Sequence, residues 1–378
     1  MDWAKHRVAP GIEIRVNSDQ LTELQTLAAD RAATQLPDGF APQTFNHRAA
    51  CFLGANEEDL GTGTNTDGSQ REKHCAELSA LARAVANAAR SRTKVAPTVL
   101  AVMSKRYEKD SNNQALSTAR KHIIQSDPPV GPCGTCLTAI QGNAACPDLS
   151  DMSVIMGAGS QYRRASFGTL YPIPTVSALR SVVFEDGPRP HGLAVMPSDS
   201  CCDAIFSEDG NHLQQKDVDG LFTKVYEDLK FSQVESAPNL RIAYGYITPK
   251  SRNAKRITET LPLIDQRHNT VGRVGGVLTL CSGNSVISDQ TREIKGLLIA
   301  VEYNRDELGA AASYQFFTGT ERQRIFDIAD ISKYDIPVFI SWNREKVVVT
   351  NISALAPLYE GPTDSRTMRA GLDFYRGS

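Results

Sequence analysis

The sequence lacks any long apolar run. No stretch of its 378 residues approaches the roughly 18–20 consecutive apolar residues that a transmembrane helix needs. The opening residues, MDWAKHRVAPGIEIRV, also lack the apolar core of a secretory signal peptide, and they carry acidic residues rather than an Arg-rich amphipathic pattern. We therefore expect a soluble, cytoplasmic protein without membrane association or organellar import.

The sequence has no large excess of positive or negative charge, and it has few cysteines for its length. Lys and Arg number 41 and Asp and Glu 43, which gives a formal net charge of −2 and disfavours a general nucleic-acid-binding protein. A near-zero net charge is still compatible with a local basic groove. Eight cysteines in a long chain without an export signal argue against a disulfide framework. In a reducing compartment these thiols are available as metal ligands.

Apolar periodicity in the first half alternates between helical and extended patterns. Helices are expected over about 19–36 and 70–92, and a short helix is expected to begin at Cys133. Strands are expected in four runs, at 47–54, 58–66, 96–103 and 151–157. The resulting order, α-β-β-α-β-α-β, predicts an α/β sandwich.

Composition divides the chain into two predicted domains. Residues 175–215 are uneven, with Gly187-Pro188-Arg189-Pro190 and a Cys201-Cys202 pair. We expect a first domain over 1–185, a linker over 186–215 and a second α/β domain over 216–378. Strands of the second domain are expected in five runs, at 240–247, 274–280, 296–303, 337–341 and 346–350.

Two short motifs carry the chemistry. His74-Cys75-Ala76-Glu77 begins one predicted helix, and Pro132-Cys133-Gly134-Thr135-Cys136 begins another. A Cys-x-x-Cys pair and a third thiolate give zinc three protein ligands and leave a fourth position for water, as in catalytic zinc sites. Zinc lowers the pKa of that water, and Glu77 is spaced to move protons without binding the metal.

The alternative interpretation of these motifs is a structural zinc site or two unrelated groups of thiols. A lone Cys-x-x-Cys pair would favour that alternative. Here the Glu, the Pro before the pair and the Gly inside it coincide, and both motifs begin helices. A metal ligand followed by x-Glu, together with Pro-Cys-x-x-Cys, is the signature of zinc deaminases. The combination therefore favours a catalytic zinc site.

These motifs resemble those of the cytidine deaminase family, in the branch with Cys-Ala-Glu and three Cys ligands. The resemblance covers about residues 19–175 and extends to Thr169-Leu170-Tyr171-Pro172-Ile173-Pro174, which is similar to the family's Thr-Leu-x-Glu-Leu-Leu-Pro. It implies an α/β/α sandwich in which Zn²⁺ is held by three thiolates and Glu77 carries protons. The implied metal ligands are Cys75, Cys133 and Cys136.

The resemblance also implies a substrate pocket and a reaction. Phe45 would pack on the pyrimidine, and Asn65 and Asp67, at the family's Asn-x-Glu, would bind the ribose hydroxyl. The implied reaction is the hydrolytic deamination of a cytidine or deoxycytidine to the uridine product and ammonia. Family sites are often completed by a neighbouring subunit, so a homodimer acting on a small nucleoside or nucleotide is expected.

Several positions depart from the family pattern. Leu78 follows Cys-Ala-Glu where the family has an Arg that offsets the charge of three thiolates, and Leu137-Thr138 replaces Arg-Gln. Asp67 is one methylene shorter than the family's Glu. Residues 105–131 form an insertion with five Lys and Arg against three Asp and Glu. A nucleotide, nucleic acid or modified nucleoside substrate, and a non-enzymatic zinc-stabilised interaction module, therefore remain alternatives.

The second half allows two interpretations, a degenerate copy of the first domain or an unrelated α/β domain. Three segments resemble family elements: Glu302–Asp306 the Asn-x-Asp element, Gly319-Thr320-Glu321 the Cys-Ala-Glu motif and Ser353–Pro357 the Leu-Pro ending. No Cys or His stands at the ligand position. Such a domain would not bind zinc in this way.

Overall fold

The chain is described here from a computed structural model. The model describes residues 11–36, 46–65, 75–106, 131–143, 149–185, 190, 192–198, 215–234, 236–247, 258–262, 294–303, 307–332 and 335–357. Its contacts divide the chain into two compact units, one within Val8–Pro172 and one within Ile173–Ser378. Among the described residues, no helix combines the length and the apolar character that a membrane crossing requires.

The first unit is a mixed sheet with helices on both faces. Its described elements, in chain order, are β1 (Glu13–Val16), α1 (Glu23–Thr34), β2 (Asn46–Leu53), β3 (Asp59–Thr64), α2 (Ala76–Ser91), β4 (Val99–Arg106), α3 (Gly134–Asn143), β5 (Ser153–Ala158), β6 (Gln161–Ser166) and α4 (Phe167–Leu170). The strand order is β1-β6-β5-β4-β2-β3, in which only β4 and β5 are parallel neighbours. The sequence prediction of an α/β fold is confirmed, although β1 and β6 were not expected.

The two faces of this sheet are covered by different helices. Ala28, Ala29 and Ala32 of α1 pack in one apolar core with alternate residues of β2 and β4, among them Cys51 and Ala101. Side chains alternate along a strand, so the residues between these face the opposite side. That side is covered by α2, which lies against β3 and β2 and contacts α3.

The second unit has a sheet of the same kind. Its described elements, in chain order, are α5 (Val176–Phe184), β7 (Ala194–Pro197), α6 (Gln215–Leu229), β8 (Leu240–Ile247), β9 (Thr258–Pro262), β10 (Gly296–Tyr303), α7 (Gly319–Ser332), β11 (Pro337–Trp342), β12 (Lys346–Asn351) and α8 (Ile352–Leu355). The strand order is β7-β12-β11-β10-β8-β9. Apolar residues of α6, including Val218, Leu221 and Val225, pack against one face of the sheet.

The second sheet repeats the topology of the first. Replacing β1 to β6 by β7 to β12 reproduces the strand order, and the only parallel pair, β10 with β11, corresponds to β4 with β5. The short helices α4 and α8 follow the last strand in each unit. The residues that end them, Tyr171 (φ −135°, ψ 66°) and Ala356 (φ −141°, ψ 57°), have nearly the same backbone conformation. Thus the resemblance of Ser353–Pro357 to the Leu-Pro ending matches its place in the fold.

The connection between the two predicted domains differs from the sequence expectation. Helix α5, expected in the first domain, packs against β11 and β12 of the second unit. The segment 186–215, expected to be a linker, contributes β7, which pairs with β12 at the edge of the second sheet. Short segments of this kind become strands because they pair with a distant strand, which local composition does not reveal. The strand expected at 274–280 lies outside the described residues.

A fully buried arginine organises one end of the second unit. Arg322 Nε donates to the Phe317 carbonyl at 3.0 Å, Nη1 to the Leu355 carbonyl at 3.3 Å and Nη2 to the Ile173 carbonyl at 2.7 Å. Its guanidinium carbon also lies 5.3 Å from the centroid of the Phe317 ring. These bonds join the start of α7 to the end of α8 and to the segment that opens the unit.

Replacing Arg322 by Met should destabilise the second unit by about 3 kcal/mol or more, because three buried carbonyls lose a charged donor. Urea unfolding followed by circular dichroism would measure the change in the free energy of unfolding. Arg344→Met is the control, since that side chain is 37% exposed in its ion pair with Glu302 and should cost less than about 1 kcal/mol. Similar losses in both variants would contradict the role of Arg322.

Candidate metal centre

The N-termini of α2 and α3 bring three thiols together. Cys75 is the N-cap residue of α2, Cys133 immediately precedes α3, and Cys136 lies in the first turn of α3. The Sγ atoms of Cys75 and Cys133 are 3.7 Å apart, and those of Cys133 and Cys136 are 3.3 Å apart. All three lie within 4.8 Å of one another. The three sequence-predicted metal ligands therefore form one cluster.

The spacing of these thiols fits a tetrahedral metal ion. Zinc–sulfur bonds of about 2.3 Å in a tetrahedral site place sulfur atoms about 3.8 Å apart. The Cys75–Cys133 distance of 3.7 Å matches that value, and the Cys133–Cys136 distance of 3.3 Å is shorter. Among the described residues, no second group of three or more His, Cys, Asp or Glu is arranged in this way. Cys75, Cys133 and Cys136 are thus the residues that could hold a metal.

The three thiols are electrostatically unequal. Contacts with the Cys136 and Cys75 thiols, aided by the amides of Cys136 and Thr135, hold the pKa of the Cys133 thiol well below its usual range. The contact with Cys133 raises the pKa of the Cys75 thiol to about 12 and raises that of the Cys136 thiol as well. One thiolate is therefore stabilised by its surroundings, and the other two would lose their protons to a metal ion.

Glu77 lies beside the thiols and is fully buried. Neither of its carboxylate oxygens has a partner with hydrogen-bond geometry among the described residues, although the nearby Cys136 thiol helps to lower the pKa of the carboxyl. Burial raises the pKa of the Glu77 carboxyl, while the positive charge of Arg48 acts in the opposite direction. A buried carboxyl with open hydrogen-bonding capacity costs stability, and such groups cluster at functional sites. Glu77 is therefore available to a ligand or to water at this position.

Two glycines of β3 determine how closely α2 approaches the sheet. A Cβ atom on Gly63 would lie 2.4 Å from the backbone nitrogen of Ala80 and 2.6 Å from Cβ of Ser79. A Cβ atom on Gly61 would lie 2.4 Å from the Ala80 carbonyl oxygen. These clashes involve backbone atoms of α2 and the Cβ atom of Ser79, so a larger residue would move the helix. The glycines thus position the first turn of α2, which carries Glu77.

The predicted substrate residues are described only in part. Asn65 follows β3, and its Oδ1 accepts a hydrogen bond from the Arg48 amide at 2.8 Å. The backbone N–H of Asn65 donates to the backbone carbonyl of Arg48 at 3.1 Å. Phe45 and Asp67 lie outside the described residues. The sugar-binding role of Asn65 and Asp67 and the stacking role of Phe45 therefore stay predictions.

The corresponding helix of the second unit has no thiols. Helix α7 connects β10 to β11, as α3 connects β4 to β5, so Thr318-Gly319-Thr320-Glu321 stands where Cys133-Gly134-Thr135-Cys136 stands in the first unit. The sequence comparison of Gly319-Thr320-Glu321 with Cys-Ala-Glu is therefore wrong. A tripeptide does not reveal between which strands its helix lies.

The pair of ligands in α3 is replaced in α7 by a capping interaction. The Thr318 amide and hydroxyl donate to Glu321 Oε2 at 2.7 Å and 2.8 Å, and the Glu321 amide donates to Thr318 Oγ1 at 3.4 Å. Such reciprocal bonds satisfy the free amides of a helix N-terminus.

The second sequence comparison also fails, because Glu302 lies in β10, which corresponds to β4, whereas the Asn-x-Asp element of the first unit follows β3. Glu302–Asp306 is thus not its counterpart.

Arg48 and the two glycines of β3 were not predicted to belong to the site. Arg48 is a charged residue in the run HRAACFLG, which is otherwise apolar after its first residue. A charged residue within a predicted buried strand is uncommon and often functional, so Arg48 could have been singled out from the sequence. Gly61 and Gly63 alternate in a strand, which indicates close approach of another backbone.

The thiol cluster predicts metal binding by the full chain. We expect about one Zn²⁺ or Co²⁺ per chain, with Co²⁺ giving thiolate-to-metal absorbance, and we expect Cys136→Ala to abolish both. Cys51→Ala is the matched control, because Cys51 is equally buried but lies in the core against α1. Equal metal content in the two variants would contradict the site.

The close packing of β3 on α2 predicts that Gly63→Ala weakens metal binding. Displacing the first turn of α2 moves Cys75 relative to α3, and we expect the metal dissociation constant to rise by about 10–100-fold, as for other supporting residues of metal sites. Chelator competition would measure it. Gly220→Ala is the control, since a Cβ atom at Gly220 in α6 meets nothing within 4 Å. Unchanged metal affinity in Gly63→Ala would contradict this positioning role.

Comparison with known proteins yields a weak structural similarity. No family model and no curated protein sequence matches the chain. The chain is similar to the solved structure of cytidine deaminase from Burkholderia pseudomallei, at 18% identity and a TM-score of 0.28 over 40% of this chain and 98% of that one. Two substitution variants of the Mycobacterium tuberculosis cytidine deaminase are similar at 16% and 17% identity, each with a TM-score of 0.23, over 38% of this chain and 89% and 86% of theirs.

Proposed function

We propose that the first unit is a zinc-dependent hydrolase that deaminates a cytosine-type amine. The observation that carries this proposal is the fully buried carboxyl of Glu77, which lies beside three clustered thiols. A structural zinc site needs four protein ligands and no such carboxyl. Three thiols with an adjacent carboxyl instead match the needs of water activation followed by proton transfer.

In the proposed reaction Cys75, Cys133 and Cys136 hold the zinc ion. When bound, zinc acts as a Lewis acid that activates water near neutral pH. Glu77 accepts a proton from the attacking water and delivers it to the ring nitrogen of the substrate. It then assists proton transfer to the amino group, which leaves as ammonia while the water oxygen becomes the ring carbonyl. Burial of Glu77 supports this role, because burial raises the pKa of its carboxyl and so favours a group that both accepts and donates protons.

The substrate is inferred to be a cytidine or deoxycytidine derivative. Asn65 supports this inference, since it follows β3, which packs against α2, and it exchanges two hydrogen bonds with Arg48. We assign Asn65 and Asp67 to the sugar and Phe45 to the base, as the sequence motifs suggest. A homodimer in the cytoplasm is the expected working form.

The second unit is inferred to be a non-catalytic copy of the first. Its identical strand order and pairing directions support duplication. Its α7 helix begins with Thr318 and Glu321 at the positions of the Cys pair, and these side chains are engaged in capping the helix. Such a domain would have a structural or regulatory role.

Replacing Glu77 by Gln tests the proposed mechanism. The unchanged protein should release ammonia from cytidine or a related compound, and Glu77→Gln should reduce turnover by about 10²–10⁴-fold while retaining zinc. Glu23→Gln is the matched control, because Glu23 also lies in the first turn of a helix but is exposed. Normal turnover in Glu77→Gln would contradict the mechanism. Bound zinc without turnover of any cytosine or adenine compound would favour a non-enzymatic module.

A further inference from the structure

The strand β2 presents alternate side chains to its two faces. Ala49, Cys51 and Leu53 pack in the apolar core against α1. The side chains between them therefore point to the face that α2 covers. Arg48 belongs to this second set.

The pairing of β2 with β3 locates Arg48 along α2. Gly63 of β3 lies against Ala80 of α2. Two residues further along β3, Asn65 exchanges two hydrogen bonds with Arg48, at 2.8 Å and 3.1 Å. Strand β3 and helix α2 run in opposite directions, so the part of α2 beside Asn65 precedes Ala80. Glu77 lies there, about one helical turn before Ala80. The register therefore brings Arg48 to the first turn of α2, next to the candidate site.

Arg48 is half-buried, and its positive charge lowers the pKa of the neighbouring Glu77 carboxyl. Two other arginines of this unit are engaged internally. Arg164 pairs with Glu13 at 2.6 Å, and Arg83 donates to the Thr62 carbonyl at 2.9 Å. A guanidinium carries five N–H donors, so a half-buried one beside the candidate site can also bind an anion that arrives with a ligand.

We propose that Arg48 binds the phosphate of the substrate, so that the site takes a cytosine nucleotide in preference to the neutral nucleoside. This inference rests on the proposed deaminase function and specifies its substrate class. A guanidinium binds two phosphate oxygens at once through parallel N–H groups, which a neutral nucleoside does not match.

The test compares ammonia release from cytidine, deoxycytidine, their 5′-monophosphates and a short cytosine-containing single strand of DNA. The zinc-loaded wild-type protein should have the highest kcat/KM for a monophosphate. Arg48→Met should lower the preference for monophosphate over nucleoside by about 10–100-fold, mainly through KM, as expected for a charge-assisted contact. Arg48→Lys should retain part of the preference. Arg83→Met, an exposed arginine on α2, should leave the preference unchanged.

Three results would overturn the inference. They are equal kcat/KM for nucleoside and monophosphate in the wild-type protein, an equal loss on both in Arg48→Met, and loss of bound zinc from that variant. A preference for the single strand over the monophosphates would also contradict it. If no compound is deaminated, the proposed function itself fails. Equilibrium binding of cytidine 5′-monophosphate then decides on Arg48, since unchanged affinity in Arg48→Met would overturn its role and weaker binding would support it.

Discussion

The close contact between β3 and α2 is the constraint on which the candidate site depends. Because Gly61 and Gly63 carry no side chain, the helix lies directly against the strand. Helix α2 leads into β4, and α3 leads out of β4 to the parallel strand β5, so both helices begin near the carboxyl end of β4. The N-termini of α2 and α3 therefore lie close together. This brings the thiol of Cys75 next to the thiols of Cys133 and Cys136.

This convergence concentrates groups that carry negative charge when ionised. Three thiols and the Glu77 carboxyl are partly or fully buried within one cluster. Contacts with the Cys136 and Cys75 thiols, aided by free amides at the N-terminus of α3, stabilise one thiolate at Cys133. Full ionisation of the cluster requires more positive charge than the backbone provides. A divalent metal and the nearby Arg48 could supply this positive charge. Metal binding and the charge of the substrate are therefore linked at this site.

The two units show that the fold and the chemistry are separable. Both sheets have the same strand order and a connecting helix in the same place. In the first unit that helix begins with the Cys pair, whereas in the second it begins with a Thr318–Glu321 cap and a buried Arg322 that binds three carbonyls. The same framework therefore supports either a site or a purely structural interaction, depending on a few residues at one helix N-terminus.

The sequence by itself determined the types of most elements, the thiol motifs and their carboxyl neighbour. Helical periodicity and Cys-x-x-Cys spacing are local properties, so residues such as Leu81 and Cys136 could be assigned without a structure. Only the tertiary structure decided that Cys75 meets a residue 58 positions away, that β1 and β7 join sheet edges and that Arg48 faces α2. Those outcomes depend on strand register and on the backbone approach allowed by two glycines, which arise from contacts between distant segments.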